Sequence, residues 1–370
     1  MHLKTLSLVN FKNYEQVDIS LSEKINCFVG ENGVGKTNLL DAIHYLSLCK
    51  SNLNPVDSQN IKYEQDFLVV QGVFERRGKE ENIYCGIRKQ KKKQFKRNQK
   101  EYSKLSEHIG LIPLVMISPA DAILINGGSE ERRKFMNGVI AQYSRVYLEN
   151  LIQYNRALSQ RNSLLKDFAM TRSFDQGMLE VWDEQLISYG EPIYEERVRF
   201  VNELLPVFNE FHSHVSGNRE KVSLRYQANL QGSSFREGLR ASMEKDRIVQ
   251  YTTFGVHKDD LGMELEGYSL KKSGSQGQQK TFLVALKLAE FEFIRKLTEI
   301  HPILLLDDIF DKFDAGRVKN IISLVAENQF GQIFITDTNE QRLQGILKEV
   351  PANNKIFRIT PETILEEMKA

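Results

Sequence analysis

Eight consecutive residues, 30–37, carry the clearest chemistry in the sequence. They read G-E-N-G-V-G-K-T and follow the apolar run Ile25–Val29 directly. A G-x-x-x-x-G-K-T loop turns its backbone N–H groups toward phosphate oxygens, while its lysine reaches the β- and γ-phosphates and its threonine ligates Mg²⁺. Residues 38–48 are predicted to form a helix whose positive end adds to the anion site. The predicted ligand-binding residues are Gly30, Glu31, Asn32, Gly33, Val34, Gly35, Lys36, Thr37 and Asn38.

Two adjacent acids end an apolar run later in the chain. Residues 303–306 read I-L-L-L and are followed by Asp307 and Asp308. A buried parallel strand that delivers carboxylates at its C-terminal edge belongs beside a phosphate loop. Asp307 is predicted to hold Mg²⁺ together with Thr37, directly or through water. Asp308 is predicted to orient or deprotonate the attacking water. Without the phosphate loop, the two acids would suit a helix cap or a solvated strand end equally well.

A third element is the Gly/Ser/Gln-rich turn S-G-S-Q-G-Q-Q at residues 273–279, which opens a helix predicted to end near residue 297. Such a turn exposes backbone N–H groups and a serine hydroxyl at the positive end of the helix. One ATP needs a single cradle, so we expect this second surface to serve a nucleotide bound to another copy of the chain. Ser275, Gly277 and Gln278 are predicted to reach that γ-phosphate across a two-fold interface. The competing interpretation is an ordinary helix start after a loop.

Composition excludes several classes of protein. With 370 residues, 41% of them hydrophobic and 27% charged, the chain can bury one or two sizeable cores, which argues against global disorder. A net charge of +1 gives no overall bias toward nucleic acid, so such binding must come from local patches. The three cysteines form no C-x-x-C pair, which fits a reducing compartment. No leader and no apolar stretch near the ~20 residues of a bilayer span is apparent, so we expect a cytoplasmic protein that does not bind membranes.

The apolar spacing changes along the chain. Alternating patterns up to about residue 120 predict an α/β region with an antiparallel β portion. Three- and four-residue steps then predict long amphipathic helices, with Pro192 expected to kink or split the second. The sequence therefore predicts an ATPase lobe of residues 1–124 and 217–370, with a helical lobe of residues 125–216 inserted. Strands are predicted at 67–74, 83–88, 112–117, 222–228, 303–306, 333–335 and 355–359.

One strongly basic segment lies between predicted strands. Residues 88–100 contain eight basic residues and no acid, so a hairpin with a basic tip is predicted. Lys91, Lys92 and Lys93 of this tip could neutralise DNA phosphates without base specificity. A solvated charged hairpin without a partner is the alternative.

Taken together, these motifs resemble those of ABC-type ATPases. The phosphate loop, the Ser275 turn, the Asp307-Asp308 pair and Asp311-Lys-Phe-Asp314 look like the Walker A, signature, Walker B and D-loop motifs. Within this class the chain resembles the RecF family of bacterial SMC-like ATPases. The segments that carry the resemblance are LVNFKNY (8–14), FVGENGVGKTN (28–38), SEERRKF (129–135), YNRAL (154–158), QRN (160–162), WDEQL (182–186), GVHKDD (255–260) and GSQGQQ (274–279).

The resemblance implies an α/β P-loop NTPase: a bilobed ABC-type ATPase head with an antiparallel β portion and an inserted helical lobe, without a long coiled coil. It implies an ATP-dependent homodimer that binds gapped DNA or junctions of single and double strand, with weak ATP hydrolysis for release. It further implies that RecO- and RecR-type mediators act with the protein to load recombinase in DNA repair and replication restart. Because related heads place the turn before the phosphate loop against the nucleotide, Lys12 and Asn13 are expected to contact ATP; a solvated turn is the alternative.

Some positions depart from the pattern of this class. Asp308 stands where most ABC ATPases have glutamate, which suggests slow turnover. Val256 and Lys258 replace the expected proline and arginine, which puts a role for His257 in doubt; we interpret its surroundings as a polar loop rather than a metal site. Thr336 lies near the place of the γ-phosphate-sensing histidine of transporter ATPases and is expected to take over part of that role.

The sequence leaves two other functions open. One is the ATPase subunit of an ABC membrane transporter, and the other is a DNA-binding scaffold with a degenerate phosphate loop. The 238 positions from Thr37 to Ser275 (275 − 37) exceed what a compact transporter ATPase needs and are too few for a long SMC coiled coil with its hinge. The intact Lys36, Thr37, Asp307 and Asp308 argue against degeneracy.

Overall fold

A computed structural model of the protein describes residues 1–218, 220–230, 234–310, 330–349, 353–360 and 364–367. The segment 311–314, which looks like a D-loop, lies outside the described residues. The helices are α1 (Lys36–Leu48), α2 (Ile123–Asn126), α3 (Ser129–Tyr143), α4 (Arg145–Thr171), α5 (Gln176–Ser216), α6 (Phe235–Val249), α7 (Leu270–Ser273), α8 (Gln276–Thr298) and α9 (Glu340–Glu349). The strands are β1 (His2–Phe11), β2 (Tyr14–Ser20), β3 (Ile25–Val29), β4 (Phe67–Arg76), β5 (Lys79–Arg88), β6 (Gln94–Arg97), β7 (Lys100–Glu101), β8 (Leu114–Ile117), β9 (Val222–Gln227), β10 (Asp260–Leu265), β11 (Tyr268–Ser269), β12 (Ile303–Asp307), β13 (Ile333–Asp337), β14 (Asn354–Ile359) and β15 (Ile364–Glu367).

The chain divides into two compact units, and the first comprises residues 1–121, 214–217 and 283–370. This unit holds two six-stranded sheets. One is antiparallel with the order β2-β1-β4-β5-β6-β7. The other has the order β15-β14-β3-β13-β12-β8 and is parallel except at the β14–β15 pair. The predicted combination of a parallel sheet with an antiparallel β portion is confirmed.

Helix α1 is the central element of the first unit's core. Its Leu39, Leu40, Ile43 and Leu46 are fully buried in one hydrophobic cluster that includes residues of both sheets. A helix that is apolar on almost every side is stable only when neighbours surround it, and this one is surrounded. The start of α1, where the phosphate loop ends, is therefore held by the core of the unit.

The second unit comprises residues 122–213 and 218–282. It combines helices α2–α7 with the three-stranded sheet β11-β10-β9. The prediction assigned residues 217–282 to the ATPase lobe, but all of them except residue 217 belong to the unit that holds the helical residues. Ion pairs connect these residues to the helices. Arg132 Nε of α3 lies 2.6 Å from Asp260 Oδ1, and Arg197 Nη1 of α5 lies 3.2 Å from Asp259 Oδ2. An alternating pattern reveals a buried strand face, but it does not reveal which helices cover that face.

The structure decides one of the two alternatives predicted at Pro192, a kink or a split. Helix α5 continues without interruption from Gln176 to Ser216 through Pro192 and Pro206, so a split at Pro192 does not occur. An interior proline costs a helix about 3 kcal/mol. Burial of apolar residues along α5, such as Leu186, Ile193 and Phe200, opposes that cost.

All seven predicted strands are present, with their ends shifted by at most four residues. In the described part of the chain, none of the helices combines the length and the hydrophobicity needed to span a membrane.

Candidate functional site

The loop between β3 and α1 is shaped around the ammonium group of Lys36. Its Nζ donates hydrogen bonds to the carbonyl oxygens of Gly30 and Glu31, each at 2.9 Å. Gly33 and Gly35 have φ values of 85° and 110°, in the left-handed region that favours glycine. The Lys36 side chain is buried, whereas residues 31–33 are exposed. We call residues 30–37 the cradle, because they form an open loop with a buried cation beneath its backbone.

Asn13 braces the cradle from the turn between β1 and β2. Its Nδ2 donates to the Val34 carbonyl at 3.0 Å, and its Oδ1 accepts a hydrogen bond from Asn38 Nδ2 at 2.7 Å. A Cβ atom at Gly35 would lie 2.4 Å from Asn13 Nδ2. Glycine is thus required at position 35 both by its backbone angle and by the approach of Asn13, which lies beside the cradle as its sequence position suggested.

Lys12, the neighbour of Asn13, has a different position. Its Nζ lies 2.5 Å from Asp41 Oδ2 on α1, and the two side chains are 8% and 0% exposed. Asp41 also accepts hydrogen bonds from Ser51 Oγ and the Asn52 backbone, both at 2.6 Å. Because its ammonium group is committed to a buried ion pair, this arrangement does not support the expected contact of Lys12 with ATP. Lys12 instead links the β1–β2 turn to α1 through Asp41, a pairing that could not be predicted from the sequence.

Three side chains from distant segments meet at the C-terminal edge of the mixed sheet. Thr37 Oγ1 and Thr336 Oγ1 each donate a hydrogen bond to Asp307 Oδ1 at 2.8 Å. Strand β13 lies between β12 and β3, which places Thr336 directly beside Asp307. Burial raises the pKa of Asp307, and the hydrogen bonds from Thr336 and Thr37 offset part of that rise. The predicted pairing of Thr37 with Asp307 is thus present as a direct contact.

Asp308 adopts a left-handed backbone conformation with φ of 46°. Its backbone N–H donates to Thr336 Oγ1 at 3.0 Å. One buried hydroxyl therefore joins the two acids, since it donates to Asp307 and accepts from Asp308. Thr336 is 0% exposed, so in this structure its hydroxyl holds the acids rather than facing an open ligand site. The sequence indicated Thr336 only because it lies near the place where transporter ATPases carry a γ-phosphate-sensing histidine.

The Ser275 turn lies in the second unit and is organised locally. The Ser275 backbone N–H donates to Gln278 Oε1 at 2.7 Å, while the Gln278 N–H donates to Ser275 Oγ at 3.3 Å. This reciprocal pair is a capping box at the start of α8. Gln278 also donates through Nε2 to Glu220 at 3.1 Å. Ser275 is exposed, whereas Gly277 and Gln278 are half-buried.

The basic segment forms the predicted hairpin, because its residues occupy the β5–β6 turn and strand β6. Lys91 and Lys92 are exposed at the tip. Lys93 is not available in the same way: its Nζ lies 2.9 Å from Asp57 Oδ2 and donates to the Cys49 carbonyl at 2.8 Å. Lys93, predicted as a DNA contact together with its two neighbours, is a structural cation in this fold.

The acids near His257 have structural partners as well. Tyr154 Oη lies 2.7 Å from His257 Nδ1, and burial lowers the pKa of His257 to about 4, so the imidazole is neutral at pH 7. Asp259 forms an ion pair with Arg197, and Asp260 forms one with Arg132. Over the described ranges, no group of three or more His, Cys, Asp or Glu side chains is arranged to hold a metal ion. These contacts agree with the interpretation of residues 255–260 as a polar structural loop.

Comparisons with known proteins place the chain in a family. The family model of the RecF/RecN/SMC N-terminal domain matches residues 2–361. A DNA replication and repair protein RecF from Bacteroides thetaiotaomicron is 52% identical over 100% of both chains, and one from Parabacteroides distasonis is 54% identical over 97% of both. A solved structure of the recombination mediator protein RecF with ATP, in the RecFOR pathway, superposes with a TM-score of 0.89 at 29% identity, covering 99% of this chain and 98% of that one. An Smc head domain derived from Pyrococcus furiosus matches with a TM-score of 0.57 at 18% identity over 99% and 96% of the chains, a likeness of fold alone.

The fold is therefore that of an SMC-like, ABC-type ATPase head. Within that class, the extent and identity of the matches are decisive, since they run through nearly the whole chain rather than through the phosphate loop alone. The chain belongs to the RecF family.

Proposed function

We propose that the cradle binds the triphosphate of ATP. Lys36 would donate to the β- and γ-phosphate oxygens, and the backbone N–H groups of residues 31–35 would surround them. The observation that carries this proposal is the direct Thr37–Asp307 contact of 2.8 Å, which joins side chains 270 positions apart at the mouth of the cradle. Asn13 and Asn38 would hold the loop in this shape, with Asn13 close enough to the cradle to contact the nucleotide.

Mg²⁺ fits the residues present at this point. The Thr37 hydroxyl and the Asp307 carboxylate are hard oxygen ligands, and Mg²⁺ in nucleotide sites is held by one or two such groups, with substrate phosphates and water completing the shell. When bound, the ion would neutralise charge on the phosphates. Thr37 and Asp307 would hold it, and Thr336 would keep the Asp307 carboxylate oriented toward the Thr37 hydroxyl.

We assign the proton-accepting role to Asp308. It follows Asp307 at the strand end, and its backbone is fixed by the hydrogen bond to Thr336. A carboxylate at this point could orient the attacking water and accept its proton. Because an aspartate side chain is one methylene shorter than the glutamate common in ABC ATPases, we expect slow hydrolysis, suited to release rather than to repeated work.

The Ser275 turn would complete the site of a second copy of the chain. Ser275, Gly277 and Gln278 would approach the γ-phosphate bound in the partner's cradle, so ATP would hold two copies together. The exposure of Ser275 and the capping box that preforms the turn support this role.

We propose that this ATP-gated dimer binds gapped DNA or junctions of single and double strand in recombinational repair and replication restart. RecO- and RecR-type mediators would then load recombinase at the bound site. The family membership and the match to RecF with ATP in the RecFOR pathway support this assignment. No feature of the described residues favours the ABC transporter alternative.

Sedimentation velocity with and without ATP·Mg²⁺, and with a gapped duplex, tests the proposal. We expect a monomer without nucleotide, a dimer with ATP, and co-sedimentation of the gapped duplex with the dimer. A monomer that binds gapped DNA equally well without ATP would refute the nucleotide gate.

The basic hairpin gives a separate test of DNA contact. Lys91→Glu with Lys92→Glu should weaken DNA binding and reduce the slope of log K against log[salt] by about 1 for each lost phosphate contact. Lys79→Glu with Lys104→Glu is the matched control, because both lysines are exposed in the same unit outside the hairpin tip. An unchanged slope in the hairpin variant would make the tip a solvated loop.

A further inference from the structure

A cavity of about 490 Å³ lies in the second unit, where the end of α4 and the last turns of α6 approach the segment before α5. Its apolar lining includes Leu165 and Phe168 of α4, Phe174 of the connecting segment and Ile248 of α6. Leu165 is buried and forms the floor, whereas Ile248 is 80% exposed at the edge. The rings of Phe168 and Phe174 meet edge to face, with centroids 5.4 Å apart. The cavity thus has an aromatic wall and an exposed apolar edge at Ile248.

The charged groups around the cavity are predominantly basic. Arg172 and Arg247 line it, and neither has an ion-pair partner among the residues that the structure describes. The Arg247 guanidinium lies 4.1 Å from the centre of the Phe174 ring, a cation–π arrangement that leaves its N–H groups free to donate at the edge. Glu244 is the one acidic residue that lines the cavity. Two guanidinium groups without an ion-pair partner in the described part of the chain, beside a partly apolar lining, suit a ligand that carries both carboxylates and an apolar group.

The same arrangement disfavours a nucleic acid. A base would need a free aromatic face for stacking, but Arg247 already covers one face of Phe174 and Phe168 packs against its ring.

We propose that this cavity docks an extended acidic segment of a partner protein. The segment would insert one leucine or phenylalanine side chain against Leu165, Phe168 and Ile248. Carboxylates on either side of that residue would pair with Arg172 and Arg247. The aromatic or aliphatic anchor supplies affinity, and the charge pairs select acidic partners over basic ones. This site is independent of the nucleotide site and does not rest on the proposed function.

The test is a selection of phage-displayed random dodecapeptides on the full chain, followed by fluorescence anisotropy with the enriched peptides. We expect enriched sequences in which acids flank leucine or phenylalanine. Arg172→Glu with Arg247→Glu should raise their Kd by at least about tenfold, which corresponds to one lost charge pair. Ile248→Asp should also raise the Kd, because it places a negative charge at the apolar edge of the cavity.

Arg240→Glu with Lys245→Glu is the matched control, because it makes the same charge change at exposed positions of α6 that do not line the cavity. The control should leave the Kd within about twofold. Thermal unfolding of each variant verifies that the exposed substitutions leave the fold intact. Peptides without acids, or peptides that bind the cavity variants as tightly as the parent, would overturn the proposal. So would a cavity that binds a single-stranded oligonucleotide and no peptide.

Discussion

The two elements that we assign to the triphosphate are built in contrasting ways. The cradle is anchored in the core of the first unit: Lys36 and Asp307 are 4% and 5% exposed, and hydrogen bonds connect them to several chain segments. Ser275 is exposed, and its turn is held by hydrogen bonds within its own capping box and by one from Gln278 to Glu220. The cradle has the groups needed to bind a ligand by itself. The turn offers only one surface, to which a ligand bound elsewhere must be brought. This difference is what a site completed by a second copy requires.

The largest expected effect comes from Lys36→Ala. Removing the ammonium group takes away its charge-assisted bonds to the phosphates, so ATP affinity should fall about 1000-fold and the ATP-dependent dimer should disappear with it. Isothermal titration and sedimentation velocity measure the two effects. Lys4→Ala is the control, since Lys4 forms an exposed ion pair with Glu80. A dimer that still responds to ATP in the Lys36 variant would remove the cradle assignment.

Asp308→Asn should separate binding from hydrolysis. We expect turnover to fall about 100-fold because proton acceptance is lost, while ATP affinity stays close to that of the parent. The ATP-bound dimer should therefore persist longer, which a dilution experiment followed by light scattering would reveal. Asp66→Asn, at an exposed position, serves as the control. Hydrolysis at the parental rate would show that another group accepts the proton.

Thr336→Val tests whether the buried Thr336 hydroxyl holds Asp307 and Asp308 in position beside the cradle. The substitution keeps the volume but removes the bonds to Asp307 and to the Asp308 backbone, so kcat should fall about tenfold with a smaller change in KM. Thr336→Ser restores the hydroxyl and should recover most of the rate. Steady-state ATPase kinetics at saturating Mg²⁺ make the comparison. Equal losses in the valine and serine variants would indicate packing rather than hydrogen bonding.

Gln278→Ala addresses the turn and should have the smallest effect on the single chain. The half-buried side chain loses its bonds to the Ser275 N–H and to Glu220, so the free energy of unfolding should fall by no more than about 1 kcal/mol. The ATP-dependent dimer should nevertheless weaken about threefold, an amount typical of one lost hydrogen bond. Chemical denaturation and sedimentation measure these quantities separately. A large loss of stability with an unchanged dimer would reverse the contrast between the two elements.

Much of the nucleotide site was predictable, because its parts follow local rules. The phosphate loop follows a strand and starts a helix, and the two acids end a buried strand, so the Thr37–Asp307 pairing could be expected from the sequence. The Thr336 bridge could not, because it depends on β13 lying between β3 and β12 in the sheet. Sequence spacing carries no information on that order.

Long-range ion pairs account for three further differences. Lys12 and Lys93 looked available for ligands, but each is held by an aspartate that is 29 or 36 positions away in the chain. Residues 218–282 looked like part of the ATPase lobe, yet Asp259 and Asp260 bind arginines of the helices. A charge in a sequence can be recognised, but its partner is fixed only when the chain is folded.

The most direct test of the composite site is sedimentation velocity of Ser275→Arg with a fluorescent ATP analogue and Mg²⁺, recorded for protein and nucleotide together. The arginine should block the turn without touching the cradle. We predict that the nucleotide sediments with a monomer. A dimer as abundant as that of the parent protein, or a monomer that no longer carries nucleotide, would contradict the claim that one copy binds ATP and another closes the site.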